Sequence, residues 1–247
     1  MRQFYLFGFA VFLASSTSGA IAADVEDEDI AKYDGAYIVA RMAAAFNNNS
    51  QFSMDFTSFT TKMRTEYASS SAAGAVAVGY RFEDMFGIEL EGGQTAFTAK
   101  AHTLLSVPTA NSTVSSRFDG ANAGGTAKVT YGMVNIVTEQ DFGSFIRPYM
   151  SAGLGLAQVQ VNNFNINLPA PIDPLKDGSA TLINDKEVSY AWQIGAGAVL
   201  DISKALSLEA GYRYFRVEDV NVLTSTNNET ELNLSQHQAL LGVRVNF

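Results

Sequence analysis

Two glutamates with a spacing that suits acid–base chemistry stand out in this chain of 247 residues. Glu89 and Glu91 are separated by one residue, so in an extended strand their carboxyl groups share one face, about 7 Å apart. Paired carboxylates of this kind can divide the roles of general acid and general base. The interpretation that we favour is a ladder of charges that pairs with arginines inside a closed structure, where a substrate has no access.

Histidine and cysteine usage restricts other chemistry. The chain has two histidines, His102 and His237, and no cysteine, which excludes thiolate metal sites and cysteine nucleophiles. Ser235 and His237 lie two residues apart and would share a strand face, but a hydrolytic triad also needs an acidic residue from a neighbouring strand. We predict no catalytic residue, no metal ion and no cofactor.

The first residues have the pattern of an export signal. Arg2 precedes an apolar run at residues 4–14, and Ala20-Ile21-Ala22 has the small residues of a cleavage site. The apolar run is too short to cross a membrane as a helix. The sequence therefore predicts a signal peptide at 1–22, followed by an acidic N-terminal segment at 23–34.

Composition leaves two classes of protein open. Only 17% of the residues are charged, fewer than the roughly 25% of soluble domains, yet the mean hydropathy of +0.04 is too low for a bundle of apolar helices. The net charge of −9 argues against nucleic acid as a partner, because no excess of basic residues is present to neutralise phosphates. A soluble globular domain and a membrane β-barrel both remain, since apolar and polar residues alternate in a barrel.

Eight segments alternate with a period of two, which predicts strands with two different faces. The predicted strands cover about 35–46, 72–82, 85–95, 125–137, 145–158, 188–202, 205–216 and 231–247. In the sixth, Tyr190, Trp192 and Ile194 lie opposite Gln193 and Gly195. The fourth is less regular: Lys128 is assigned to the polar face and Val129 to the apolar face, which then also contains Asn135.

The polar faces carry charges of both signs beside small residues, which leaves room for long side chains in a narrow interior. A soluble lipocalin-like barrel would instead turn its apolar faces inward. The pattern therefore predicts an all-β fold, an eight-stranded antiparallel up-and-down transmembrane β-barrel. The predicted charge network of the lumen consists of Arg41, Arg81, Glu89, Glu91, Lys128, Arg147, Asp201, Glu209, Arg213 and Arg244.

The connections between these strands alternate in length. Short turns are predicted around 83–84, 140–144 and 203–204, and longer polar connections at about 47–71, 96–124, 159–187 and 217–230. Outer-membrane barrels have long loops outside the cell and short turns in the periplasm. Apolar residues within 51–59 and 97–107 indicate that parts of the first two loops extend strands above the membrane.

Several segments resemble strands of small outer-membrane barrels, namely residues 145–155, 192–198 and 208–214. The last strand resembles the signal read by the outer-membrane assembly machinery, with Gly242 and Phe247 matching its pattern and Val245 standing where an aromatic residue is usual. Together these segments resemble the eight-stranded OmpA/OmpX/opacity-like group of Gram-negative bacteria.

This resemblance implies a protein of the bacterial outer membrane that contacts outer-membrane lipid and lipopolysaccharide. The chain would then consist of the signal peptide at 1–22, an acidic periplasmic N-terminal segment at 23–34 and an outer-membrane β-barrel at 35–247. It also implies insertion by the assembly machinery through the C-terminal strand. The implied role is a scaffold that displays four extracellular loops to host or cell-surface ligands, as an adhesin or surface antigen, and not an enzyme. The alternative is a small pore with a charged lumen. The third possibility is a lipid-modifying enzyme, although similar barrels that deacylate lipid A carry His-x-Ser, whereas this chain has Ser235-x-His237.

Overall fold

A computed structural model of the chain describes residues 35–56, 59–82, 85–108, 113–142, 145–167, 179–223 and 229–247. The signal peptide and acidic segment predicted at 1–34 lie outside these residues. The described strands are β1 (Gly35–Asn47), β2 (Ser50–Phe56), β3 (Phe59–Tyr67), β4 (Ser71–Phe82), β5 (Phe86–Pro108), β6 (Thr113–Asp119), β7 (Ala123–Glu139), β8 (Ile146–Asn167), β9 (Ser179–Asp201), β10 (Leu206–Leu223) and β11 (Glu229–Asn246). Among the described residues, no helix is long and apolar enough to cross a bilayer.

Eight of these strands close into a ring in which every neighbouring pair is antiparallel. The order around the ring is β1, β4, β5, β7, β8, β9, β10 and β11, and β11 returns to β1 with Val245 opposite Ile38. Closure satisfies the backbone groups of every barrel strand without a free edge, as a membrane-spanning sheet requires. The predicted all-β, eight-stranded antiparallel barrel is confirmed.

The strands are longer than the sequence pattern indicates. β8 continues to Asn167 and β9 begins at Ser179, so most of the connection predicted at 159–187 is strand. The first long connection forms the β2–β3 hairpin, which pairs with β5 through β3, and the second contains β6. The predicted extension of strands into the first two connections is therefore confirmed.

One half of the barrel has an apolar exterior, which we call the apolar belt. Its side chains include Leu154, which is 72% exposed, and Tyr190, which is 77% exposed. Such exposure is typical of a surface that faces lipid. The belt comprises Ile38, Met42, Val76, Val78, Tyr80, Ile88, Leu90, Val134, Ile136, Met150, Leu154, Leu156, Tyr190, Ile194, Leu208, Tyr212, Leu241 and Val243.

Beyond the belt the two faces of the sheet exchange polarity. Along β10, Phe215 and Val217 are fully buried inside the barrel, whereas Arg216 lies on the outside. We call this outer half the stalk; its interior is one apolar cluster that includes Met63, Tyr67, Phe97, Ala127, Val129, Ala157, Val159, Val161, Phe164, Ile183, Phe215, Val217, Val220, Val222, Leu232 and Leu234. A polar exterior around an apolar interior is the arrangement of a water-soluble protein, so the stalk is built to stand outside the lipid.

The face assignment of the fourth predicted strand, now β7, is wrong. Val129, Tyr131 and Asn135 are buried in the interior, whereas Lys128 is exposed on the outside. The error arises because β7 passes from stalk to belt, so apolar residues occupy its inner face in the stalk and its outer face in the belt. Asn135 marks the inner face where the lumen becomes polar.

The apolar interior of the stalk predicts a large loss of stability on truncation. Phe215 is fully buried and its ring lies 4.9 Å from that of Tyr131. We expect Phe215→Ala to lower the free energy of unfolding by about 3–5 kcal/mol, as the loss of a core phenylalanine usually does. Urea unfolding of the refolded protein measures this change. Leu223→Ala, on the outside of the same strand, is the control, and an equal loss there would contradict a packed interior.

Candidate functional site

Arg41 is the centre of a buried charge network in the belt half of the lumen. Its guanidinium binds Glu89 Oε1 at 2.8 Å, Glu91 Oε2 at 2.9 Å and Glu209 Oε1 at 2.9 Å. These partners come from β5 and β10, and all four side chains are almost completely buried. The alternation of β1 directs Arg41 inward, since Ala40 and Met42 take the lipid-facing positions on either side.

Arg213 extends the network towards the stalk. Its Nη1 lies 2.6 Å from Glu91 Oε1, its Nε donates to Gln238 Oε1 at 2.8 Å, and its Nη2 donates to the Tyr131 hydroxyl at 3.1 Å. Asn135 donates to Glu91 at 3.4 Å. Glu91 is thus held by two arginines and an amide, which compensates for the desolvation of its charge.

Glu139 is the corresponding centre at the end of the lumen farthest from the stalk. It binds Arg244 in a short contact, Arg81 Nη1 at 2.9 Å and Arg147 Nη1 at 3.1 Å. Arg147 also donates to Asp201 Oδ1 at 2.9 Å. Arg244 joins the two centres, because its Nη2 lies 3.4 Å from Glu209 Oε2.

Within the described part of the chain, this network contains five arginines and five acids. They are Arg41, Arg81, Arg147, Arg213 and Arg244 with Glu89, Glu91, Glu139, Glu209 and Asp201. The structure brings together nine of the ten predicted lumen residues and leaves out Lys128, which lies outside the barrel. The prediction missed Glu139. Glu139 and Asn135 are four residues apart along β7 and therefore share a face, which was the signal that could have identified Glu139.

Lumen tyrosines fill the space left by glycines on the neighbouring strands. Tyr37 lies directly opposite Gly79, and Tyr131 directly opposite Gly93. A Cβ atom added to Gly79 would lie 2.3 Å from Tyr37 Cζ, and one added to Gly93 would lie 2.4 Å from Tyr131 Cζ. Each ring therefore requires the glycine beneath it, and the Tyr37 hydroxyl then donates to Glu89 at 2.9 Å.

The network leaves little space for a substrate. A cavity of about 10 Å³ lies beside it, lined in part by Glu89, Asn135 and Tyr149, which is the room needed for one water molecule. Glu89 and Glu91 are both engaged by Arg41. Their arrangement matches the charge ladder more closely than an acid–base pair, because a working pair needs room for a substrate between its carboxyl groups.

The two histidines lie in different surroundings. His102 is buried in the stalk, where its Nδ1 lies 3.0 Å from Thr65 Oγ1 and its Nε2 lies 3.1 Å from the Gly124 carbonyl oxygen. Burial lowers the pKa of His102, which favours the neutral ring. That ring donates from Nε2 to Gly124 and accepts from Thr65.

His237 lies on the outside of β11 and does not form the pair considered from the sequence. Its Nδ1 shares a short hydrogen bond with the Tyr212 hydroxyl, and its ring lies 5.1 Å from that of Tyr214. Ser235 instead accepts a hydrogen bond from Asn48 Nδ2 at 3.0 Å. Both residues of the Ser-x-His pattern therefore have partners other than each other.

The residues predicted as an assembly signal lie at the end of β11 farthest from the stalk, or just after it. Gly242 faces the lumen opposite Arg41, whereas Val245 and Phe247 are exposed on the outside. Phe247 donates its backbone N–H to the Ala36 carbonyl. Recognition by the assembly machinery stays a prediction.

The closed ring, the apolar belt and the internally paired lumen define an eight-stranded outer-membrane β-barrel. The family model for the outer membrane protein beta-barrel domain matches residues 7–247. The chain belongs to this family, and its location is the outer membrane.

The chain is similar to several individual outer-membrane proteins. The outer membrane protein PagN of Salmonella typhimurium is 24% identical over 209 residues, which cover 76% of this chain and 77% of that protein. Among solved structures, OprG from Pseudomonas aeruginosa is 14% identical, with a TM-score of 0.50 over 87% of this chain and 97% of OprG. Neisserial surface protein A is 18% identical, with a TM-score of 0.46 over 86% and 97%. The likeness to OprG shows the fold alone.

The pairing around Arg41 predicts a large effect of its removal. Arg41→Met leaves three buried glutamates short of a partner, and breaking a buried ion pair from one side typically costs about 3–5 kcal/mol. We expect that decrease in the free energy of unfolding, measured by urea titration in lipid vesicles. Arg117→Met is the control, because Arg117 pairs with Glu66 on the exposed surface. Equal effects of both variants would contradict a structural role for the lumen network.

Proposed function

We propose that this protein is a surface scaffold, which holds its extracellular connections clear of the membrane so that they contact host or cell-surface ligands. The observation that carries the proposal is the stalk. From Leu156, the last belt residue of β8, the strand continues to Asn167, about 36 Å further along the strand. A packed apolar interior over that length holds the connections away from the membrane surface. A protein that served only as a membrane anchor would not need it.

The connections at the far end of the stalk are the surfaces that the scaffold presents. They join β1 to β4 through the β2–β3 hairpin, β5 to β7 through β6, β8 to β9, and β10 to β11. The strands fix where each connection begins and ends, so its composition can change without disturbing the barrel. This separation of framework and loop suits an adhesin or a surface antigen.

A pore is the alternative function, and two features of the lumen weigh against it. The belt half is crossed by ion pairs that use at least one residue from each of the eight barrel strands, and the stalk half is filled by the apolar cluster. An eight-stranded barrel has an interior only wide enough for side chains. Conduction would require both layers to open.

A lipid-modifying enzyme is the third possibility, and the outer face of β11 gives it little support. Tyr212 holds the His237 ring, and Asn48 holds the Ser235 hydroxyl. A nucleophile and base that act together need a hydrogen bond between them. The proposal is therefore a non-enzymatic role.

Display can be tested with an epitope inserted between β8 and β9, within residues 168–178. We expect antibody to label intact cells that produce this variant. The matched control has the same epitope after Lys204, in the turn between β9 and β10, and we expect labelling only after the outer membrane is permeabilised. Equal labelling of both variants on intact cells would contradict the proposed orientation.

Replacing residues 168–178 by a Gly/Ser segment of equal length then tests the role of that connection. We expect the barrel to keep its heat-modifiable band on a gel while binding of the cells to a host-cell layer decreases. Unchanged binding after replacement of this segment and the other three connections would reject the adhesin interpretation.

The pore alternative has a direct test in planar bilayers. We expect the refolded wild-type protein to be electrically silent, because paired charges and apolar side chains block its lumen. Steady conductance that changes when Glu89→Gln or Arg147→Gln is introduced would contradict the scaffold proposal and make the lumen charges a gate.

A further inference from the structure

A row of polar side chains on the outside of the barrel wall has no part in the proposed scaffold function. Lys128 on β7 lies directly opposite Gln160 on β8, and Gln160 lies directly opposite Lys186 on β9. All three side chains are exposed. Because neighbouring strands are about 4.8 Å apart, the two lysines start about 10 Å from each other with an amide between them.

This row lies two rows beyond the last residues of the apolar belt. The next row towards the membrane is Thr130, Gln158 and Val188, and the one after it contains Leu156 and Tyr190, both belt residues. Lysine side chains reach several ångströms and place their ammonium groups at the lipid boundary. A tyrosine such as Tyr190 is typical of that same boundary. The row therefore lies where the headgroups of the surrounding lipid begin.

Neither lysine is paired with an acid of the described residues, since no ion pair there involves the ammonium group of Lys128 or Lys186. Asp185 and Glu187 flank Lys186 along β9. Asp185 is turned towards β10, where its Oδ2 accepts the backbone N–H of Leu223 at 2.8 Å, and Glu187 lies opposite Val159, on the other face of the strand from Lys186. Arg117 differs, since it binds both Glu66 and Asp119. The row thus presents two positive charges and an amide sideways, at the level where the lipid headgroups begin.

The charges elsewhere on the exterior differ from this row. On the stalk, β10 and β11 carry Glu218, Asp219 and Glu231, and Glu218 pairs with Arg216. Lysine is a common point-charge partner of phosphate, and here two lysines face the height at which lipid phosphates lie.

We propose that Lys128, Gln160 and Lys186 form a lateral binding site for the phosphate groups of lipid A, the phosphorylated lipid of the outer leaflet. The lysines bind phosphate oxygens by charge. The Gln160 Nε2, which donates one hydrogen to Asn162 Oδ1 at 3.2 Å, has a second N–H for a phosphate oxygen between them. The site orients the barrel within the outer leaflet and orders lipid against β7, β8 and β9. It does not depend on the loop-display function, because the row faces sideways and not towards the stalk's far end.

The test compares the thermal stability of the folded barrel in vesicles of three compositions: phosphatidylcholine alone, with lipid A, and with phosphatidylglycerol at equal negative charge. The readout is the temperature at which the heat-modifiable band is lost. We expect lipid A to raise this temperature more than phosphatidylglycerol does, and we expect high salt to reduce the difference. An equal rise with phosphatidylglycerol would overturn the assignment to lipid A.

The variants locate the effect on the wall. We expect Lys128→Gln combined with Lys186→Gln to lose most of the rise caused by lipid A while keeping the wild-type stability in phosphatidylcholine. The charge-matched control combines Lys62→Gln with Lys204→Gln, two exposed positions away from the row, and should keep the rise. Retention of the rise in the first variant, or its equal loss in the control, would overturn the proposal.

Discussion

The structure depends on the pairing of charges inside the belt half of the barrel, whose outer wall faces lipid. Arginines and carboxylates can remain buried only if each has partners, and here every barrel strand supplies at least one of them. Arg41 joins β1 to β5 and β10, and Glu139 joins β7 to β4, β8 and β11. A register slip of one residue in any strand would turn its charge towards lipid and leave its partners unpaired. The network fills the lumen, and it also favours one strand order and one register, because only these bring the charged partners together.

The second organising feature is the height at which the sheet exchanges its faces. In β10, Glu209 and Arg213 face the lumen below this height, whereas Phe215 and Val217 face it above. Outside, Leu208 and Tyr212 give way to Arg216 over the same stretch. Both faces change together because lipid requires an apolar exterior and water requires a polar one. The alternate residues of each strand then face the interior, which is polar in the belt half and apolar in the stalk. The residue pattern of a single strand therefore indicates the level of the membrane surface.

This exchange explains what the sequence could and could not predict. Alternation with one apolar face identifies a strand and its lipid side wherever the strand stays within the belt, as β1 and β4 do, and their faces were predicted correctly. β7 crosses the exchange, so Val129 and Tyr131 look like lipid-facing residues although they pack inside. Asn135 was the one residue of this face that lipid does not accommodate. Had Asn135 been assigned to the lumen, the alternation of β7 would have placed Glu139 in the lumen and Lys128 outside. The ends of β8 and β9 were missed for a related reason. Gln160 resembles a loop residue when an apolar exterior is used to recognise a strand.

Because the interior is occupied by its own side chains, recognition is left to the exterior, and the exterior has two kinds of surface. The connections at the end of the stalk meet whatever approaches the cell, and they are joined to strands that the apolar cluster holds in place. The wall between belt and stalk meets only the lipid that surrounds the barrel. Lys128 belongs to this second surface: on the inner face it would be a buried base that upsets a balance of five positive and five negative charges. On the outside it stands beside Gln160 at the height of lipid headgroups. The same alternation that excludes this lysine from the lumen places it where phosphate is the nearest available anion.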